Sequence, residues 1–302
     1  MKIRDLLADG RPTLSFEVFP PKTDDKYASV EAAAFEIAKL KPDFMSVTYG
    51  AGGGTSAYTT TIARDIQKKF GVTTLAHITC VSSSRETVLA QVQRVKEAGI
   101  ENIMALRGDV PKDGTLSEDY KYASQLIPDI RAQGDFCIGG ACYVEGHVES
   151  ANWREDLLHV KEKVDAGCDF LTTQMFFDNN LMYNYLYRLR ELGVTVPVVA
   201  GIMPITNAKQ IDRSIALSGT RQVPRKFLAI VDRYGSNPAA MKQAGIAYAT
   251  NQIIDLVANG VNHIHVYTMN KPDVAAKIRE NLSEIIPVRE QGAENGKISG
   301  DR

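Results

Sequence analysis

The sequence predicts an α/β protein built as one (β/α)8 barrel of the TIM type, and three observations carry that expectation. Short apolar runs alternate with amphipathic stretches along the whole chain, which is the pattern of repeated βα units around a parallel sheet. Eight apolar runs can be counted, enough strands to close a barrel. Amphipathic stretches stop at Gly71, Gly99, Gly167, Gly193 and Gly260, where a left-handed residue would end a helix.

Taken in order, the first predicted strand is Leu14–Val18, with a helix to follow at Tyr27–Leu40. Strand Phe44–Tyr49 leads to helix Tyr58–Phe70, and Thr74–Thr79 to Arg85–Ala98. Asn102–Arg107 precedes Tyr120–Arg131, Phe136–Tyr143 precedes Trp153–Ala166, and Phe170–Phe176 precedes Leu181–Leu192. Val196–Ile202 is followed by Asn207–Ala216 and a longer helix at Pro238–Asn259, and His263–Thr268 closes the series. Pro42, Pro197 and Pro204 fall near strand boundaries, where a missing N–H is tolerated. A doubly wound open sheet would call for a glycine fingerprint after the first strand, but that turn reads Phe19-Pro20-Pro21-Lys22.

No Pro/Ser-rich linker interrupts the pattern, so residues 1–287 are expected to form one catalytic barrel. Residues 288–302 lose apolar content and are expected to be a disordered polar tail. A formal net charge of −1 provides no long-range field for nucleic acid. The N-terminus has no apolar leader and no apolar stretch is long enough to cross a membrane, so a cytoplasmic protein is expected. The four cysteines, Cys80, Cys137, Cys142 and Cys168, form no CxxC pair and read as reduced thiols. On one strand, Cys137 and Cys142 should face opposite sides.

In a barrel the chemistry gathers at the C-terminal strand ends. Glu17 alternates with Phe16 and Val18, so if those face the helices Glu17 points inward. Desolvation there is expected to raise its pKa and suit it to proton transfer; a structural carboxylate is the other reading. The glycine-rich segment after Tyr49 could admit a flat ligand or serve as a lid, and it matches no nucleotide fingerprint. His77, His263 and His265 raise the thought of a three-histidine zinc site, but no acidic or cysteine ligand accompanies them at a familiar spacing, and no metal is expected. Arg107-Gly108-Asp109 puts a cation and a carboxylate at one rim. Tyr143, His147, Gln174, Tyr267 and Lys271 add aromatic, amide and cationic groups. With no evident nucleophile or metal cluster, the set favours chemistry carried by a cofactor.

At SFEVFPPK, SVTYGAGG, AHITC, ALRGD, TQMFFD, GIMPITN and HVYTMNK, in order from residue 15 to residue 271, the chain closely resembles the methylenetetrahydrofolate reductase family. The resemblance implies an FAD enzyme of one-carbon metabolism and methionine supply. Its flavin, reduced by NADH or NADPH, passes hydride to 5,10-methylenetetrahydrofolate and gives 5-methyltetrahydrofolate. It implies Glu17 as the general acid that opens the imidazolidine ring and Asp109 as a catalytic carboxylate near flavin and pterin. For FAD the matching positions are Thr48, Tyr49, Ala51, His77, Arg107, Gly108, Asp109, Ala123, Tyr143, His147, Asp156 and Lys163, with His159 assigned to the same cofactor site. For folate they are Asp109, Gln174, Gln210 and Lys271.

Four positions depart from the family. His159 and Glu162 stand where relatives place asparagine and arginine, Ser214 stands where some carry an aromatic that stacks on the nicotinamide nucleotide, and Lys271 replaces a common arginine. Lysine keeps the charge but loses the two-pronged fork for a carboxylate. Family habit implies a homo-oligomer, and a partner subunit is a further candidate source of electrons. With no long extension after the barrel, the regulatory domain of the eukaryotic enzymes is expected to be absent. Two other readings compete: a flavin-free pterin-binding methyltransferase barrel, and an idle flavoprotein subunit that relays electrons.

Overall fold

Parallel strands that are buried on both faces need helices on one side and side-chain packing on the other, and closing them into a ring satisfies both demands. The computed structural model describes residues 1–49, 56–111, 114, 116–218 and 223–289. After a short helix α1 (Ile3–Ala8), strands β1 (Thr13–Val18), β2 (Phe44–Val47), β3 (Thr73–Thr79) and β4 (Asn102–Leu106) alternate with helices α2 (Tyr27–Ala38), α3 (Ser56–Phe70) and α4 (Arg85–Glu97). Helix α5 (Ala123–Ala132), β5 (Cys137–Cys142), α6 (Trp153–Asp165), β6 (Phe170–Thr173), α7 (Asn179–Glu191) and β7 (Val198–Ile202) continue the alternation. Three helices, α8 (Gln210–Ser218), α9 (Arg225–Tyr234) and α10 (Pro238–Ala258), then precede β8 (His263–Tyr267), and α11 (Pro272–Asn281) follows it. The eight strands form a closed barrel in sequence order. Parallel pairing of β1 with β8 completes it.

Alternation divides the core in two. Phe16, Val18, Met45, Val47, Ile103, Leu171 and Val266 point outward into the helices. Phe44, Leu75, Met104, Cys137, Phe170 and Val199 fill the interior and pack on Ile3, Leu6 and Leu7 of α1, which plugs the N-terminal mouth. Cys137 thus faces the interior and Cys142 the helix layer. All four cysteines are free and buried. The predicted glycine stops are left-handed, with φ of 68° at Gly71, 74° at Gly99, 110° at Gly167, 78° at Gly193 and 82° at Gly260.

Several expected boundaries move. Tyr49, Arg107, Tyr143 and Gln174 lie beyond the strands to which they were assigned. The chain leaves the ladder there: the Arg107 carbonyl, for example, accepts from the N–H groups of Cys80 (3.1 Å) and Val81 (2.8 Å). Helices α1, α9 and α11 were not anticipated. Within the expected tail, Arg289 is pinned to the barrel by Asp9, Asp43 and the Leu6 carbonyl, while 290–302 lie outside the described residues. No helix among the described residues is long and apolar enough to cross a membrane.

Candidate active site

Since α1 and the inward-facing apolar layer close the lower end, the open space lies at the C-terminal mouth, in a cavity of about 1350 Å³. Pockets for one drug-sized molecule are typically about 300–1,000 Å³, so this one has room for a large cofactor and a second ligand.

Strand register builds the deepest polar layer. Glu17 on β1 is the register partner of Ser46 on β2 and of Tyr267 on β8. Ser46 Oγ lies 3.2 Å from Glu17 Oε2 and 3.1 Å from Nε2 of His265. The rings of His265 and His77 face the same carboxylate oxygen at 3.6 and 3.8 Å. Burial pushes the Glu17 carboxyl upward, but the adjoining His265 and His77 rings and the Ser46 hydroxyl outweigh it and carry the group below its ordinary value. The expectation of a raised pKa is therefore corrected: it allowed for desolvation but not for two histidines on the same oxygen. His77 itself is pushed down to about 4, mainly by burial, so its ring is neutral at pH 7.

The three histidines do not converge as a zinc site. His263, two residues below His265, bonds instead to Thr13 Oγ1 through Nδ1 at 3.1 Å. Among the described residues, no group of three His, Cys, Asp or Glu side chains is placed to hold a metal ion.

Around this layer, Thr48, Tyr49, His77, Arg107, Gly108, Asp109 and Ala123 line one side of the cavity. Tyr143, His147, Asp156, His159, Glu162 and Lys163 line another. Ala51 lies outside the described residues. Gly108 has φ +87°, and a Cβ there would sit 2.9 Å from Thr79 Cβ, so only glycine lets the backbone turn between β3 and the cavity. Arg107 forms a two-point ion pair with Glu149, with Nη2 to Oε1 at 2.9 Å. Asp109 is exposed at the rim. Tyr49 accepts from Gln91 Nε2 at 2.7 Å, and Tyr143 meets the His147 ring edge-on at 4.7 Å. Asp156 accepts from Ser150 Oγ at 3.0 Å, Lys163 donates to the Ala141 carbonyl, and His159 stacks by Tyr122 at 6.0 Å.

On the opposite wall are Gln174, Gln210 and the buried Ser214. Both glutamine oxygens are already engaged. Gln174 Oε1 accepts from the Met175 N–H at 2.9 Å, and Gln210 Oε1 from the N–H groups of Thr206 (3.0 Å) and Asn207 (3.1 Å). With both lone pairs of its oxygen taken, Gln210 is left with its amide N–H group, whereas Gln174 keeps a second acceptor site beside its own N–H group. Lys271 donates to Oγ1 of Thr206 at 2.8 Å, the same residue whose N–H group holds Gln210.

Glu149 and Tyr122 carry no signal in the sequence, and His265 shows there without its link to Glu17. In-phase alternation along β1 and β8 carried the signal for the deep layer, but register alone shows which strands meet.

A family model described as methylenetetrahydrofolate reductase matches residues 2–283. A Pectobacterium carotovorum protein named 5,10-methylenetetrahydrofolate reductase is 34% identical over 273 residues, covering 90% of this chain and 91% of its own. The Escherichia coli protein of the same name is 32% identical, with the same coverage of 90% and 91%. A maize protein named methylenetetrahydrofolate reductase (NADH) 1 is 34% identical over 94% of this chain but only 50% of its own length. Among solved structures, an uncharacterized Clostridium thermocellum protein, described as binding two copies of 5-methyl-5,6,7,8-tetrahydrofolic acid, superposes with a TM-score of 0.66. It covers 94% of this chain and 100% of its own at 13% identity, a likeness of fold alone. With the family model spanning the barrel from α1 past α11 and full-length bacterial relatives matching above 30% identity, the chain belongs to the methylenetetrahydrofolate reductase family.

Proposed function

We propose that this protein reduces 5,10-methylenetetrahydrofolate to 5-methyltetrahydrofolate with hydride from FAD, and that Glu17 supplies the proton that opens the folate ring. The observation that carries this reading is a carboxylate one-fifth exposed at the bottom of a large cavity, bracketed by His265, His77 and Ser46. A proton donor beside a wide pocket is what ring opening needs. A flavin-free methyltransferase would leave much of the pocket unfilled, and an electron-relay subunit would have no use for the acid.

The residues suit the cofactor. His77 Nε2 is buried and without a hydrogen-bond partner among the described residues, although it faces the cavity. A buried polar atom left this way is costly unless a ligand meets it. Gly108 opens the backbone to close approach, and Arg107 and Lys163 provide positive charge for a diphosphate. Thr48, Tyr49, Ala123, Tyr143, His147, Asp156 and His159 complete the cradle. When bound, FAD would supply two-electron hydride chemistry. Reducing equivalents would come from NADH or NADPH, and the NADH in the maize relative's name supports a nicotinamide source.

For the folate, Gln210 offers amide N–H donors and Gln174 an amide that can both donate and accept, Asp109 offers an acceptor at the rim, and Lys271 offers a cation for the glutamate end. The proton from Glu17 goes to the ring nitrogen that leaves the one-carbon bridge. As that C–N bond breaks, its electron pair stays on the nitrogen, and the ionised carboxylate left behind stabilises the positive charge on the other side of the bridge.

Anaerobic stopped-flow absorbance tests the proposal. Protein loaded with FAD and chemically reduced should regain its flavin band on mixing with 5,10-methylenetetrahydrofolate. A band that stays bleached, or a protein that takes up no FAD, would overturn it.

A further inference from the structure

The deep layer poses a question of proton counting. Ser15 Oγ lies 2.9 Å from the Ile264 carbonyl and 2.8 Å from His265 Nδ1. A carbonyl only accepts, so the single Ser15 hydrogen goes to Ile264, and Nδ1 must bring its own hydrogen to the serine oxygen. His265 is thereby fixed with Nδ1–H, and its Nε2 turns to Ser46 Oγ, 3.1 Å away. Ser46 also has one hydrogen and two acceptors to choose from, Nε2 of His265 and Oε2 of Glu17 at 3.2 Å.

Two arrangements satisfy every atom. In one, neutral Glu17 donates to Ser46 and Ser46 donates to neutral His265. In the other, protonated His265 donates to Ser46 and Ser46 donates to ionised Glu17. Both hold one mobile proton, and they interconvert by passing a hydrogen along two hydrogen bonds. With that proton removed, both Nε2 and the carboxylate accept and Ser46 can serve only one of them.

The site is built to keep this proton in. Ser15 and Ser46 are fully buried, His265 is 2% exposed, and Phe44 stacks on the His265 ring at 5.8 Å. The titratable groups facing the pair are His77 from β3, Tyr267 one pleat above on β8 and His263 one pleat below. His77 stays neutral, since burial takes it down to about 4, and Tyr267 is held protonated by burial beside Glu17.

We propose that His265 is a positioning residue that stores the acid proton of Glu17, linked to it through Ser46, with Ser15 fixing the tautomer. This rests on the reading of Glu17 as the acid in ring opening. In the step itself, which starts from protonated His265 and ionised Glu17, the Nε2 proton moves to Ser46 as the Ser46 hydrogen moves to Glu17, and Glu17 passes that one proton on to the leaving nitrogen. His265 ends neutral, Glu17 ends ionised, and solvent restores the proton after product leaves. The arrangement resolves the conflict between a carboxyl held below its ordinary value and a duty as an acid near neutral pH.

The first test does not depend on catalysis. The chain has five histidines, few enough for histidine-selective 15N labelling to resolve each ring, with His265 assigned by the signal lost in His265→Gln. Nδ1 of His265 should stay protonated across the titration while Nε2 titrates. Glu17→Gln should move that transition down by at least one pH unit, and Ser46→Ala should move it in the same direction by a smaller amount. A His265 transition indifferent to both changes would overturn the proposal.

The second test is the pH profile of flavin reoxidation by 5,10-methylenetetrahydrofolate in pre-reduced protein. His265→Gln and Ser46→Ala should shift its alkaline limb down by at least one unit, with Ser46→Thr restoring the wild-type limb. A uniform loss of rate with an unmoved limb would mean that the residues act only through packing, and would also overturn the proposal. If the titrations are coupled but no folate is reduced even by the wild type, the reading of the overall reaction fails while the shared proton stands.

Discussion

Arg107 and Glu149 close on each other across the rim of the cavity, guanidinium to carboxylate in two-point contact, with Nη2 and Oε1 2.9 Å apart. Arg107 is the cation best placed for a diphosphate on this wall, so an anion that uses it must share it with Glu149 or displace it. Neutralising the competitor should help: Glu149→Gln is expected to tighten FAD binding to the apoprotein by roughly fivefold at low ionic strength, about 1 kcal/mol, with the gain shrinking in high salt. Quenching of FAD fluorescence measures this directly. Weaker binding would show that Glu149 instead holds Arg107 in the orientation the cofactor needs.

Glu17→Gln keeps the size and one hydrogen-bonding oxygen of the side chain but cannot give up a proton. Loss of a positioned acid typically costs about 10²- to 10⁴-fold. The folate half-reaction is expected to fall by that factor, while the variant still binds FAD and is still bleached by dithionite. Stopped-flow measurement of each half separately decides the matter, and folate turnover within threefold of wild type would remove Glu17 from its role.

Much of this architecture was legible beforehand, and the reason is physical. Strands buried on both faces read as continuous apolar runs, and Glu17 stood out as a charge inside such a run, between Phe16 and Val18. Its partners were not legible in the same way. That Ser46 and His265 lie against Glu17 follows from the β1–β2 and β1–β8 registers, which are set by closure of the whole ring rather than by any local pattern. The direction of the Glu17 shift was lost with them, since burial alone points the other way. Arg289 was assigned to the tail because its neighbours are polar, although its ion-pair partners, Asp9 and Asp43, lie near the other end of the chain.

That Arg289 clasp gives a prediction about stability. Asp43 is 4% exposed at the side chain, meets Arg289 Nε at 2.5 Å and also accepts from the Leu14 N–H at 2.7 Å. Arg289→Ala leaves this carboxylate without its cation and is expected to cost about 2–3 kcal/mol at pH 7, read as a lowered chemical-denaturation midpoint. Burial pushes the Asp9 carboxyl up, but Arg289 and Arg11 more than offset it and hold Asp9 below its usual 3.8. Its contribution is therefore present above pH 3.8 and lost as pH falls through the lower folded value. The gap between wild type and variant should narrow in that acid range. A gap that is constant down to pH 2 would assign the effect to packing instead.

His77 titrates in the opposite sense for a buried base. Its pKa drops from 6.5 to about 4, chiefly by burial, so between those values the unfolded chain binds a proton that the folded chain refuses. Stability of the apoprotein must then rise with pH across the window, by up to about 3 kcal/mol from this one group. His77→Gln is expected to flatten that part of the stability curve, as measured by urea midpoints at half-unit pH steps. Parallel curves for wild type and variant would show that folding leaves the proton affinity of the ring unchanged.

Gly245 lies inside α10, far along the chain from the strand-end loops, yet a Cβ there would come within 1.8 Å of the Ile205 carbonyl oxygen and 2.7 Å of its carbon. Backbone cannot give way as a side-chain tip can, so Gly245→Ala has to push the Ile205–Thr206 segment off the helix. The same segment holds the candidate folate wall: Thr206 N–H fixes Gln210 Oε1 at 3.0 Å, and Thr206 Oγ1 accepts from Lys271 Nζ at 2.8 Å. The substitution is therefore expected to cost about 2–3 kcal/mol of stability and to raise the apparent KM for 5,10-methylenetetrahydrofolate roughly tenfold, with FAD content unchanged, because the cofactor cradle lies on the opposite wall. Denaturation midpoints and steady-state kinetics on the FAD-loaded variant separate the two effects. A stability loss with an unaltered KM would mean that Gln210 and Lys271 do not touch the folate, whereas loss of FAD together with KM would mean that the two walls move as one body.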